Sequence, residues 1–371
     1  MNAAPDNSAS GNQPYIRKET FLARYSRSSK LMVALGILLL LFLPMVWPKH
    51  GSVPLTPEPK VQTSAAEGPT VSPANKPGDK PAPLAPTGDA AKLDANAGTI
   101  NDTDDRSARM AHVPDPGLTE DTAEGGLPRI SEDGRKVWQV YARPFNTNDK
   151  RPRIAIVMVD MGLARGASDA ALRRLPAPVT MAFDVQSPVV GAWLGRARQD
   201  GHETLLSLPM EPFDYPRSDP GPNALLTNLP ASDNVQRLNK ALHCGTGYVG
   251  ITTISGSRFT TDPAKMAAVL DTLKRRGLLV FDAHVAPHST LNDLAKQKQV
   301  PVAVATLQID RDSSPHAIDA ALNQLEQAAH LTGHAIGVAS PLPVTLDHLE
   351  KWIKQLPDHG LALAPVSAVV E

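Results

Sequence analysis

The sequence predicts an α/β fold over residues 127–371, built from repeated strand–helix units around a parallel sheet. Three observations carry the prediction. Apolar runs of strand length recur through this stretch with little polar alternation, as in parallel strands covered on both faces. Helical stretches separate them. Gly201, Gly277, Gly333 and Gly360 each follow a helix and precede a strand, where a left-handed C-cap is wanted. Such joints fit a parallel barrel or an open doubly wound sheet, and periodicity does not separate the two.

The strands are expected at residues 154–159, 179–183, 203–208, 248–252, 278–281, 300–305, 335–338 and 361–365. Two helix starts are written out locally. Asp262-Pro263 and Ser314-Pro315 each place a capping side chain before a proline at the first helical position. Trp193 and Trp352 sit at helical core spacing.

Upstream the composition changes. Residues 1–30 are polar and are expected to form a cytoplasmic N-terminal tail. Residues 31–47, LMVALGILLLLFLPMVW, contain no charge and would cover roughly 25 Å as a helix. Arg17, Lys18, Arg24, Arg27 and Lys30 precede this run and only Lys49 lies close behind it. That bias expects a single-pass inner-membrane anchor with the N-terminus in the cytoplasm and the rest of the chain in the periplasm. A cleaved signal peptide is the alternative, but no small-x-small cleavage site follows. Residues 48–126 are rich in Pro and Ala and lack hydrophobic periodicity, so a disordered linker is expected there. The folded domain then covers 127–371.

A formal net charge of −1 leaves no basic field for nucleic acid. The single Cys244 excludes an intramolecular disulfide and a Cys-rich zinc site. No Gly-x-Ser-x-Gly elbow, Walker sequence or dinucleotide fingerprint is present.

Polar residues gather at the expected C-terminal strand ends, where parallel barrels keep their sites. They are Asp160, Ser207 with Glu211, Thr253 with Ser257 and Arg258, Asp282 with His284, Asp310 with Asp312, and Ser340. An Asp at a strand end often only caps the following turn, and Asp310 and Asp312 carry that reading equally well. Gly256-Ser257-Arg258 reads as a carboxylate-binding or oxyanion loop, or as a tight turn. Tyr215 and Phe259 are aromatic candidates for stacking on sugar rings.

The run Leu205-Leu206-Ser207-Leu208-Pro209-Met210-Glu211-Pro212 ends an apolar strand in a rigid Pro/Gly-shaped loop continuing to Asp219-Pro220-Gly221-Pro222. Asp160-Met161-Gly162, Gly201-His202-Glu203, Gly247-Tyr248-Val249-Gly250, Gly256-Ser257-Arg258-Phe259 and Arg276-Gly277-Leu278-Leu279 accompany it, behind a lead-in segment Trp138-Gln139-Val140-Tyr141-Ala142-Arg143-Pro144-Phe145. Together these motifs resemble the divergent polysaccharide deacetylase family from about residue 127 to the C-terminus. The resemblance implies a distorted TIM-like (β/α) barrel of the polysaccharide deacetylase type. It also implies metal-assisted hydrolysis of an N-acetyl group, with one Asp as general base and a second Asp plus histidines on the metal.

The family positions map unevenly onto this chain. The first Asp is Asp160, but its partner is Met161. The expected histidines correspond to Ser207, Ile254 and Ser340. Met and Ile cannot supply the hard oxygen or imidazole ligands that such a cation wants, and Ser is a poor one. Asp282-Ala283-His284, with His288 nearby, is the best replacement set. On an extended segment Asp282 and His284 would point the same way, though a hydrogen-bonded strand-end pair fits them better. His202, His243, His330, His334, His348 and His359 read as capping or surface residues. Arg258 is the expected partner of the Asp160 and Asp282 carboxylates.

The sequence therefore points to a membrane-anchored, periplasmic deacetylase-like protein that has lost its metal and cofactor chemistry and keeps a cleft for a glycan or an envelope protein. The cleft is expected to be lined by Asp160, Ser207, Glu211, Ser257, Arg258, Asp282, His284 and Ser340. One rival is an active carbohydrate esterase in which Asp160, Asp282 and His284 hold a divalent metal. The other is a structural envelope protein that binds a protein partner.

Overall fold

The computed structural model describes residues 110–284 and 286–371. The tail expected at 1–30, the span at 31–47 and the linker as far as residue 109 lie outside the described residues. Among the described residues no helix is long and apolar enough to cross a membrane.

The fold starts earlier than the boundary expected at residue 127. Residues 116–118 form a 3-10 turn, followed by an antiparallel hairpin of β1 (Thr119–Thr122) and β2 (Gly125–Pro128). Its first strand is Thr-Glu-Asp-Thr, which carries no apolar face of its own. Side-chain contacts hold it instead: Arg276 pairs with Glu120, and Thr122 Oγ1 lies 2.9 Å from His243 Nε2. Leu118 and Leu127 are buried on either side.

After α1 (Val137–Tyr141) the chain runs as strand–helix units. These are β3 (Arg153–Met161), α2 (Arg165–Arg174), β4 (Thr180–Asp184), α3 (Val190–Gln199), β5 (Thr204–Met210) and α4 (Ala231–Leu242). Then come β6 (Gly250–Ser255), α5 (Pro263–Arg276), β7 (Leu279–Asp282), α6 (Leu291–Lys298), β8 (Val302–Val304) and β9 (Leu307–Gln308). The last elements are α7 (Pro315–Thr332), β10 (His334–Ala339), α8 (Pro343–Ile353) and β11 (Ala362–Ala364). Each strand expected from the apolar runs is present. The short β9 was not expected.

The strand order is β8-β7-β6-β5-β4-β3-β10-β9, and every neighbouring pair is parallel. Strand β11 shares one edge of β3 with β4, taking Arg153–Ala155 while β4 pairs from Val157 onward. The two outer strands of this order are consecutive in the chain. Ala305 N donates to Asp282 O at 2.9 Å, and the next amide, Thr306 N, donates to Ile336 O at 2.8 Å. One extended segment thus leaves β7 on one side and joins β10 on the other, so the sheet curls. A curled parallel half-barrel of this kind is consistent with a deacetylase-like barrel, whereas an open doubly wound sheet keeps its edges apart.

Local chemistry explains the joints. Asp262 accepts hydrogen bonds from Ala264 N and Lys265 N, at 3.0 and 3.1 Å, and Pro263 follows at the first helical position. Such a cap stabilises a helix by about 1 kcal/mol. The same helix ends at Gly277, whose φ of 64° is left-handed and whose missing Cβ leaves room for Ile130 and the backbone of Val137. Ser314 occupies the corresponding position before Pro315, but its side chain makes no cap bond.

The base of the barrel is tied by two buried charged residues. Arg198, 5% exposed, donates to the carbonyls of Tyr141, Gly247 and Ala111 at 2.8–2.9 Å. Glu203 is fully buried and accepts from Arg143 N, Ser367 N and Ser367 Oγ. Burial pushes the Glu203 carboxyl above its usual range against the pull of these donors. His202, expected at a cap or surface, is instead a core residue: it is 1% exposed, and its Nδ1 lies 2.9 Å from Val179 O. Trp193 and Trp352 are core residues, as their spacing indicated.

Candidate functional site

Strain is concentrated at the C-terminal ends of the strands. Three of the four non-glycine residues with left-handed backbone among the described residues are Asp160, Ser255 and His284, with φ of 56–57°. They end β3, β6 and follow β7. Such conformations cost on the order of 1–3 kcal/mol each and gather at sites where geometry is imposed for use.

Asp160, Asp310, Asp184 and Asp282 at this end are each held differently. Asp160, half-buried, accepts a hydrogen bond at Oδ2 from Ser340 Oγ at 2.9 Å. Ser340 N donates in turn to Asp310 Oδ2 at 2.8 Å, joined there by Thr345 Oγ1 at 3.1 Å. The other Asp310 oxygen is buried without a partner among the described residues. Asp184, at the end of β4, is 4% exposed and accepts from Gln186 N at 2.8 Å. Burial raises its pKa, the Gln186 amide opposes the shift, and the nearby Asp160 charge adds to it. Asp282 is 1% exposed and accepts from His284 N at 2.9 Å and from Ser289 Oγ at 2.8 Å.

Asp160 and Ser340 meet directly. Glu211, Ser207 and Asp282 are buried and do not face a cleft. Glu211 is a loop clamp: its carboxylate takes Thr227 Oγ1 at 2.7 Å and Arg258 Nη1 at 3.3 Å, and its carbonyl takes Arg258 N and Phe259 N. Ser207, wholly buried, pairs in register with Asp184 on one side and Thr252 on the other. The hydroxyls of Ser207 and Thr252 have no partner among the described residues.

Several expected contacts are corrected. Arg258 is exposed and pairs with Glu211, not with Asp160 or Asp282. Asp282 and His284 do not point the same way. Strand β7 stops at Asp282, its carboxylate caps the His284 amide, and His284 turns left-handed with an exposed side chain. Phe259 is fully buried and cannot stack on a sugar. Among the described residues the exposed aromatic is Phe213, 61% accessible, whose amide donates to Ser257 Oγ at 3.0 Å.

A cleft of about 630 Å³ opens over β6, β7 and β9. Ser257 and His284 line it, together with Ser255, Thr306, Gln308 and Arg311. Around the same end, Leu163, Val189, Phe213 and Leu342 follow β3, β4, β5 and β10, with Phe213 standing between the cleft residues Pro212 and Asp214. They are four of the five exposed large hydrophobic residues among those described. The strand-end face is therefore half polar cleft and half apolar rim. Asp184 and Phe213 were not singled out as site residues. Asp184 closes an otherwise apolar strand, and nothing local marks Phe213 as exposed.

A metal ion does not fit this donor set. Met161, wholly buried beside Asp160, and Ser207, Ile254 and Ser340, the positions at which the resemblance implies an Asp and imidazoles, carry neither carboxylate nor imidazole. Among the described residues no three His, Cys, Asp or Glu side chains converge to hold one.

The sequence profile of the divergent polysaccharide deacetylases matches residues 156–370. The chain belongs to this family. An uncharacterized protein of Haemophilus influenzae is 26% identical over 209 residues, covering 56% of this chain and 72% of its own length. The Escherichia coli K12 protein YibQ, also uncharacterized, is 25% identical over 206 residues, covering 55% of this chain and 63% of YibQ. A crystal structure of an uncharacterized Agrobacterium tumefaciens C58 protein superposes with a TM-score of 0.64 at 34% identity, covering 66% of this chain and 99% of that one. The match starts inside β3, so the Arg198-clamped lead-in lies outside the profile.

Proposed function

We propose that this divergent polysaccharide deacetylase is a membrane-anchored, periplasmic glycan-binding protein that does not carry out metal-dependent deacetylation. One observation carries the reading. Asp160, the position of the family's general base, is held by the hydroxyl of Ser340, while its neighbour Met161 is sealed in the core. A neutral serine and a buried thioether stand where a cation would need anionic oxygen and imidazole. The polar cleft at the same strand-end face has a volume in the range of small-molecule sites. Anchoring and periplasmic location rest on residues 31–47 and the basic residues before them.

The test restores the ligand set. Met161→Asp, Ser207→His, Ile254→His and Ser340→His are combined in the full chain, and zinc affinity is measured by competition with a chromogenic chelator. The combined variant is expected to bind zinc at least tenfold more tightly than the unmodified chain. Equal zinc affinity in both would contradict the assignment of these positions.

A second reading is favoured by the apolar rim of Leu163, Val189, Phe213 and Leu342: an envelope protein docked on this face. Binding of N-acetylated or acidic sugar oligomers in the cleft supports the first reading. No affinity for either, together with a stable protein complex lost in Leu163→Ser/Phe213→Ser, supports the second.

A further inference from the structure

We infer that the cleft over β6, β7 and β9 is specific for an acidic saccharide, with the Arg311 guanidinium as the carboxylate anchor; this rests on the glycan-binding reading. Arg311 lines the cleft and is exposed, and it forms no ion pair or hydrogen bond among the described residues. Its sequence neighbours do not neutralise it. Asp310 is committed to Ser340 N and Thr345 Oγ1, and Asp312 accepts from Ser314 N. The one carboxylate in the cleft wall, Asp214, takes the hydroxyl of Ser218 at 2.5 Å. Arg258, by contrast, already has its partner in Glu211.

An unpaired guanidinium presents a planar fork that matches a carboxylate with two parallel hydrogen bonds. The rest of the wall is uncharged and mixes the apolar Pro212, Ala283 and Leu307 with hydroxyl and amide groups, as at Ser255, Ser257, Thr306 and Gln308. Such groups exchange donor and acceptor roles freely and suit sugar hydroxyls, whereas a phosphate site would gather several cations or a run of backbone amides. His284 adds a ring N–H donor on the β7 side of the cleft, with no side-chain partner among the described residues. Exposed Phe213, beside Asp214, supplies an apolar face at the rim. One cation, several neutral hydroxyls and an aromatic edge together describe a sugar ring carrying one carboxylate.

The experiment uses the full chain in detergent and isothermal titration with three probes: tetragalacturonic acid, tetra-N-acetylchitotetraose and sodium sulfate. The acidic oligomer is expected to bind at least tenfold more tightly than the neutral one. Arg311→Ala should bring its affinity down to that of the neutral oligomer without changing the neutral one. Lys136→Ala, an exposed charge at the base, should change neither. Equal affinity for both oligomers would overturn the acidic specificity and leave glycan binding standing. Displacement of the acidic oligomer by equimolar sulfate would reduce the cleft to a simple anion site and overturn the sugar assignment. Full acidic binding in Arg311→Ala would remove Arg311 as anchor. Failure of both oligomers to bind would overturn this inference and the glycan reading together.

Discussion

Ser340 Oγ donates to Asp160 Oδ2 at 2.9 Å across the neighbouring strand ends of β10 and β3, and the Ser340 amide donates to Asp310. One serine thus bridges two carboxylates through separate donors, its hydroxyl and its amide. Ser340→Ala removes only the hydroxyl arm. It is expected to lower the unfolding free energy by about 1 kcal/mol, the usual worth of such a bond, with the m-value unchanged in a urea titration.

Asp184 gives a stability prediction with a definite sign. Its folded pKa lies above the usual 3.8 because burial disfavours the anion, so ionisation costs the folded state stability. The cost is absent below the unfolded pKa, grows as pH rises through the window between the unfolded and folded values, and is complete above the latter. Asp184→Asn keeps an oxygen for the Gln186 amide and removes the charge. Thermal unfolding is expected at a higher temperature than in the unmodified chain at pH 7, with the difference gone near pH 3. A variant less stable at pH 7 would mean that the carboxylate is engaged by a donor that outweighs its burial.

Glu211 ties the loop after β5 to the loop after β6 through Thr227 and Arg258. Glu211→Ala leaves the half-buried Thr227 without its partner and releases the exposed Arg258, at about 2 kcal/mol. The barrel is expected to stay folded while hydrogen exchange accelerates in residues 212–227 and 256–259. Unchanged protection in both loops would show that the clamp is not what holds them.

Arg198 binds three carbonyls from three separate stretches, Ala111, Tyr141 and Gly247. Arg198→Met fills the volume and abandons the carbonyls. Residues 110–145 are expected to become sensitive to protease while 153–371 resist it. Equal resistance throughout would place the lead-in under the control of its hairpin alone.

The strands were legible in the sequence because parallel strands buried on both faces leave uninterrupted apolar runs, as in Ile154-Ala155-Ile156-Val157-Met158. The helix ends were legible because Asp262 and Gly277 act locally, on amides and angles within a turn of themselves. The hairpin at Thr119–Pro128 was not, since Thr-Glu-Asp-Thr is held by Arg276 and His243 from distant parts of the chain. The site was half legible for the same reason. That Asp160, Asp282 and Ser340 lie at strand ends follows from the pattern. Which of them meet does not: Arg258 went to Glu211, and His284 left the strand direction by taking a left-handed turn. Asp184 escaped notice because its burial, not its sequence neighbours, makes it unusual.

The most direct test of the account is the metal content of the purified full chain after incubation with Zn²⁺, Co²⁺ and Mn²⁺ and removal of free ion, measured by elemental analysis beside an assay of acetate release from N-acetylated amino-sugar oligomers. The account predicts well under one ion per chain and no metal-dependent release of acetate. One ion held per chain, with acetate release abolished by a chelator and by Asp160→Asn, would contradict it and establish the chain as an active esterase.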